Sequence, residues 1–259
     1  MDFIDGGKGY LFGIPSNAHK VVQFKVEEKI IKEIGPDLGN EQWKYKNGVK
    51  AGNGSIYCLP HYAKYILKIT PRDGQDADVQ VLKDKQLPIG RWGNGALAKD
   101  GCIYYFPCNG KRILRLDPNK NDSLSLVGRE IRNGFAAVVS AADGCIYGIS
   151  SRRVIKYNPV KKRVSQVGKD FEGPHFFDGA VLAEDGNIYS ANIYGQMLQV
   201  DTANNDWKII GKRVHNGKGR GWGRPVLGAD KCIYFPPACH APSCNDRVLK
   251  FNQAHTQYR

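Results

Sequence analysis

Asn47, Asn94 and Asp178 come nearest, in type and spacing, to a metal-binding set in this chain. Each stands directly before a glycine, in Asn47-Gly48, Asn94-Gly95 and Asp178-Gly179, at the opening of a phrase that recurs along the sequence. Side-chain amides and carboxylates are hard oxygen donors of the kind calcium accepts. An ion held there would polarise a scissile group and lower the pKa of a bound water, the chemistry of a lactone or phosphoester hydrolase. The equivalent positions elsewhere are Asp2, Ala137 and Arg224. Ala137 brings no oxygen, Arg224 brings a cation, and no glutamate joins the set. Asn and Asp beside glycine also have a local task, bonding their own backbone in turns. The expectation is therefore no cofactor, with calcium as the alternative.

A second cluster points to binding rather than catalysis. Lys212-Arg213-Val214-His215-Asn216-Gly217-Lys218-Gly219-Arg220-Gly221-Trp222-Gly223-Arg224 holds five basic residues, no acid and one tryptophan. Flexible basic loops with an aromatic neutralise phosphates or carboxylates and offer a stacking surface. Lys212, Arg213, Lys218, Arg220, Trp222 and Arg224 are the candidate contacts. Further basic residues stand at Arg152-Arg153 and at Lys161-Lys162-Arg163. The whole chain carries 38 Lys and Arg against 25 Asp and Glu, a net charge of +13. Such an excess favours acidic partners, whether an acidic protein, nucleic acid or another polyanion.

Other chemistry finds little support. There is no Gly-x-Ser-x-Gly elbow, phosphate-binding loop or His-Glu-x-x-His pattern. Cys239-His240-Ala241-Pro242-Ser243-Cys244 would need two more zinc ligands, and His255 is the only histidine near it. Of seven cysteines, Cys58, Cys102, Cys145 and Cys232 fall inside expected strands. Cys102, Cys145 and Cys232 share one repeat position, which keeps them apart in space and reads as buried thiols in a reducing, intracellular compartment. No apolar run is long enough to span a bilayer, and the first residues lack the pattern of a signal peptide.

The scaffold that must position these residues is a repeat. Its phrase is clearest as Asp100-Gly101-Cys102-Ile103-Tyr104-Tyr105-Phe106-Pro107 followed by Ile113-Leu114-Arg115-Leu116-Asp117-Pro118. The aromatic recurs at Phe12, Tyr57, Tyr104, Tyr147, Tyr189 and Tyr234, at spacings of 45, 47, 43, 42 and 45 residues. Units of this size cannot bury an apolar face alone and must stack on neighbours. Each resolves into four short strands joined by turns, such as the glycine turn at Gly101. Apolar-polar-apolar triplets such as Leu67-Lys68-Ile69 and Ile155-Lys156-Tyr157 mark a strand with one buried face.

The pattern predicts an all-β, six-bladed propeller with repeats at about 1–46, 47–93, 94–136, 137–177, 178–223 and 224–259, the last one weak at its outer edge. Tyr45, Trp92, Phe135, Phe176, Phe177 and Trp222 stand near the start of each innermost strand. Repeating aromatics at such a place are expected to pack between blades, with a ring of stacking platforms as the alternative.

The Asp-Gly-x-Ile-Tyr…Asp-Pro phrase resembles the repeats of six-bladed TolB-like, NHL-type and SMP-30/gluconolactonase-like propellers. The resemblance covers almost the whole chain and concerns repeat grammar, so it implies a fold more than an activity. Lactonases of the last group hold a metal in a central acidic and amide cluster, which is what would recruit Asn47, Asn94 and Asp178. The leading expectation is a non-enzymatic interaction module or scaffold, a subunit of a larger assembly, that binds an acidic protein, nucleic acid or other polyanion through its loops. The rival is a calcium-dependent lactonase or phosphoesterase.

Overall fold

A computed structural model of the chain describes residues 2–132, 134–173, 175–192, 194–211, 222–237, 248–252 and 257–258. These form two compact units, Met1–Arg132 and Asn133–Arg259. Each unit contains three four-stranded antiparallel meanders, laid down in chain order.

In the first unit, the first sheet is Asp2–Gly7 (β1), Tyr10–Ile14 (β2), Val21–Lys25 (β3) and Ile30–Ile34 (β4). The second is Val49–Lys50 (β5), Ile56–Cys58 (β6), Ile66–Thr70 (β7) and Asp78–Leu82 (β8). The third is Trp92–Leu97 (β9), Ile103–Pro107 (β10), Ile113–Asp117 (β11) and Ser123–Val127 (β12). The leading strands β1, β5 and β9 lie next to one another.

The second unit repeats the scheme. Its sheets are Phe135–Ser140 (β13), Ile146–Ser150 (β14), Val154–Asn158 (β15) and Arg163–Val167 (β16), then Val181–Leu182 (β17), Ile188–Ala191 (β18), Met197–Asp201 (β19) and Asp206–Ile210 (β20). The sixth is Val226–Leu227 (β21), Ile233–Phe235 (β22), Leu249–Asn252 (β23) and Gln257–Tyr258 (β24). Its fourth strand is only two residues long, in keeping with the weak outer edge expected from sequence.

Apolar faces of successive sheets meet in separate cores. Phe12, Ile14 and Val21 of the first sheet pack with Ile56, Leu67 and Ile69 of the second. Tyr57 and Ile66 of the second pack with Ile103, Tyr105 and Leu114 of the third. Tyr147 and Ile149 meet Ile188 and Leu198 in the second unit, and Tyr189 and Met197 meet Ile233 and Phe251. Full burial of one such side chain stabilises by roughly 1.5–3 kcal/mol, so these contacts dominate the fold. Gly95 permits one close approach, because a Cβ there would sit 2.4 Å from the ring of Tyr105.

The repeated Asp-Gly-x-Ile-Tyr phrase has a local physical cause. In four repeats the turn aspartate accepts the backbone N–H two residues on and the tyrosine hydroxyl four residues on. Asp100 accepts from Cys102 at 3.0 Å and Tyr104 at 2.6 Å, and Asp143 accepts from Cys145 and Tyr147, both at 2.9 Å. Asp185 and Asp230 do the same for Tyr189 and Tyr234, each at 2.7 Å. Burial, then the adjacent carboxylate, pushes the hydroxyls of Tyr104, Tyr147 and Tyr189 well above the usual tyrosine range. Glycine after the aspartate supplies the left-handed backbone that closes the turn, as Gly101 does at φ 79°.

Cys58, Cys102, Cys145 and Cys232 are buried free thiols, as their strand positions suggested. No described helix could cross a membrane.

Candidate functional site: the loop end of the first unit

At one end of the first unit, the turns β2–β3, β6–β7 and β10–β11 meet the links β4–β5 and β8–β9. Backbone hydrogen bonds tie each link to turns beside it. Lys44 N donates to Ser16 O at 2.8 Å, His61 N donates to Lys44 O at 2.8 Å, and Cys108 N donates to Arg91 O at 2.8 Å. Lys44 and Arg91 are therefore equivalent positions of two repeats, each clamping the loop that follows the next hairpin. Their side chains part company. Lys44 is 1% exposed, whereas Arg91 lies on the surface with its guanidinium 4.3 Å from the ring centre of Tyr62.

The residue before each clamp differs too. Trp43 has φ 56°, a left-handed conformation that costs a bulky L-residue about 1–2 kcal/mol. Gly90 holds the equivalent place with φ 139°. The strain at Trp43 is held by three contacts: its N–H donates to Asn17 Oδ1 at 2.9 Å, Tyr62 N donates to Trp43 O at 3.1 Å, and the Lys44 ammonium ties down the carbonyls of Gly39 and Glu41, both at 2.9 Å. The indole is 49% exposed on a backbone tied to the turn that carries the exposed ring of Tyr62, and Ile89 is fully exposed in the β8–β9 link. Large exposed side chains on a rigid backbone bind with little loss of conformational freedom.

His61 completes the cluster. Its ring meets that of Tyr62 edge-on at 4.8 Å, and its Nδ1 is buried without a hydrogen-bond partner. Burial, then the charges of Lys46 and Arg91, hold its pKa below the usual histidine value. Arg91 makes no ion pair with a described residue, and Lys111 is exposed alongside. Ile89, Gly90, Arg91, Asn109, Gly110 and Lys111 border a hollow of about 500 Å³.

The residues singled out by sequence fall elsewhere. Asn47 and Asn94 are brought together: both are buried, and the Asn47 amide donates to Asn94 Oδ1. Part of the donor set is thereby spent on itself, and a hard dication needs six or more oxygens, usually with carboxylates among them. Among the described residues, no three His, Cys, Asp or Glu side chains gather around a common point. Asp178 is exposed in the second unit. Tyr45, Trp92, Phe135, Phe177 and Trp222 are all buried, and each pairs across its sheet with the residue three after the repeat tyrosine, as in Tyr45 with Pro60 and Trp222 with Pro237. They serve the core; the neighbouring Phe176 is exposed. Trp222 is thus an anchor rather than an open stacking surface, while Arg224 is exposed. Lys212, Arg213, Lys218 and Arg220 lie outside the described residues, as do Cys239, His240, Cys244 and His255.

Several solved structures share this fold. A catalytically inactive virginiamycin B lyase from Staphylococcus aureus superposes with a TM-score of 0.76 at 13% identity, over 99% of this chain and 82% of its own. YCF48 bound to D1 peptide gives 0.69 at 12%, over 100% and 79%. Hydrazine synthase from Kuenenia stuttgartiensis gives 0.70 at 11%, over 96% and 75%. The fold is a six-bladed β-propeller. At these identities the likeness extends to the fold alone, and each four-stranded sheet is one blade. No family model and no curated protein sequence matches the chain.

Sequence reasoning missed the propeller's loop-end cluster for an identifiable reason. Trp43, Lys44, Tyr62 and Arg91 lie in links and turns, where neither strand alternation nor the repeat phrase reaches. The one available signal was the length of the β4–β5 link, which carries Trp43, Lys44 and Tyr45 in a row.

Proposed function

We propose that this propeller is a non-enzymatic binding module, serving in a larger assembly, that holds an acidic protein segment on the loop end of its first unit. The observation that carries this reading is Arg91, stacked 4.3 Å over exposed Tyr62 with no described carboxylate as its partner. A guanidinium on an aromatic face is pre-oriented, and keeps its N–H groups for an incoming acid. Exposed Ile89, two residues before Arg91, and exposed Trp43, bonded through its carbonyl to Tyr62, would add apolar contact to the charge, a combination frequent in protein–protein hot spots. Asp37 and Glu41 stand in the adjacent β4–β5 link, which favours a short acidic segment over a continuous phosphate backbone. The basic loop with Lys212, Arg213, Lys218, Arg220 and Arg224 is proposed on composition as a second contact for acidic partners, and Trp222 as its buried anchor.

The test is fluorescence anisotropy with a labelled glutamate-rich peptide carrying one leucine, against single-stranded DNA of equal charge. Arg91→Ala and Tyr62→Ala are each expected to weaken peptide binding about three- to tenfold, a loss of order 0.5–1.4 kcal/mol. Unchanged affinity in both variants, or tighter binding of the DNA, would overturn the reading.

A further inference from the structure

A buried ammonium is costly unless its charge is met. Lys44 is such a group: it is 1% exposed, and its Nζ donates to two neutral backbone carbonyls, those of Gly39 and Glu41, each at 2.9 Å. An ammonium carries three N–H bonds. The third has no acceptor among the described residues, and no described carboxylate forms an ion pair with Lys44. The two carbonyls it ties down account for two of its N–H bonds and leave its charge unmet.

Lys44 also lines a cavity of about 540 Å³, within the range of small-molecule sites. Its walls mix apolar and aromatic side chains, Leu38, Tyr45, Tyr62, Ala63 and Val81 among them, with charged ones. The Tyr45 hydroxyl is already spent, donating to Tyr65 O at 3.0 Å. Lys64 and Lys83 stand at the same cavity. Of the two acids there, Asp37 is engaged by the Gly39 N–H at 2.8 Å and by His19 at 3.2 Å. Glu41 is exposed. One buried cation with a spare donor, at an open, partly apolar cavity with two further lysines on its wall, defines a ligand by its chemistry.

We infer that this cavity binds a small organic carboxylate, its acid group completing the hydrogen bonding of Lys44 and its apolar body lying against Leu38, Tyr62 and Val81. The site is separate from the Arg91 surface in what it recognises, since it needs a compact monoanion rather than an acidic chain. It does not depend on the acidic-segment reading, although Tyr62 borders both.

Calorimetric titration of the full chain with hexanoate, and with hexanamide as the neutral isostere, tests it. Saturable binding of hexanoate, and at least tenfold weaker binding of hexanamide, is the expected result. Lys44→Met is expected to abolish the discrimination between the two. Because that variant also loosens the link carrying Trp43, Ala63→Leu serves as a second test, filling the cavity while keeping the cation. It is expected to weaken hexanoate binding by roughly tenfold or more with Lys44 intact. Equal affinity for hexanoate and hexanamide overturns the proposal and leaves water as the group that completes Lys44. Hexanoate binding that survives in Ala63→Leu places the ligand elsewhere and overturns it as well. Neither failure alters the peptide measurement on Arg91, which reads a different surface with a different probe.

Discussion

Asp122, in the final turn of the third sheet, accepts the hydroxyl of Tyr57 in the second at 2.6 Å. Its other oxygen accepts the ammonium of Lys68 at 2.7 Å, and that ammonium also lies 5.2 Å over the Tyr57 ring. Asp122 is buried and holds φ 52°, so its turn is shaped to deliver the carboxylate across the gap between sheets. In the second sheet Asn53 replaces the repeat aspartate and bonds Tyr57 more weakly, at 3.3 Å. The neighbouring sheet supplies the charge that the local turn lacks.

Removing that latch should cost more than removing an exposed ion pair. Asp122→Ala leaves a buried hydroxyl and an ammonium without their acceptor, and is expected to destabilise by about 2–4 kcal/mol. Tyr57→Phe deletes one bond and its donor together, and is expected to cost about 1 kcal/mol. Urea melts of both, with the double variant, check the coupling. Equal small losses would show that the two sheets do not depend on this contact.

The repeat aromatics offer a separate test. Trp92 is buried and its Nε1 donates to Arg112 O at 2.9 Å. Trp92→Ala is expected to lose roughly 3–5 kcal/mol of stability, the range for truncating a large core aromatic. A stable variant that loses only ligand binding would restore the stacking-platform alternative.

Trp43 should behave in the opposite way. Trp43→Gly relieves a left-handed backbone worth about 1–2 kcal/mol and removes a side chain that is half in water. The melting temperature is expected to hold or rise, while affinity for the acidic peptide falls about tenfold. A fall in melting temperature with unchanged affinity would assign Trp43 to the core.

His61 gives a pH dependence whose sign is fixed. Burial, Lys46 and Arg91 lower its folded pKa beneath the unfolded value of about 6.5. The unfolded chain therefore takes up the proton first as pH falls. The His61 contribution to stability is complete above about pH 6.5 and is lost as pH drops from there through the lowered folded value. Chemical-shift titration of the His61 ring, with melts of wild type and His61→Gln, checks this. A folded pKa above 6.5 would contradict the buried, cation-flanked setting.

The calcium alternative is also open to a direct check. With Asn47 bonded to Asn94, the account expects neither calcium nor EDTA to shift the melting temperature. A calcium-dependent rise of several degrees that is lost in Asn47→Ala would revive an ion site.

The fold was legible because its cause is local. A turn aspartate that serves a backbone N–H and a tyrosine hydroxyl must recur wherever that hairpin recurs, so Asp100, Asp143, Asp185 and Asp230 announce the sheets. The place of Trp92 and Phe135 at the head of each leading strand followed from the same period. The Lys44 clamp was not legible, because its partners Gly39 and Glu41 lie in a link without periodicity and its burial comes from packing in three dimensions. Nor could spacing show that Asn47 and Asn94 would satisfy one another, or that Arg91 would lie on Tyr62.

The central claim is that an acidic partner sits on the Trp43, Tyr62 and Arg91 surface. Oxidative footprinting of the full chain, with and without a saturating glutamate-rich peptide, reads those side chains directly. Protection of Trp43 and Tyr62, lost in Arg91→Ala and weakened by added salt, is the predicted result. Both rings remaining as reactive with bound peptide as without it would contradict the account.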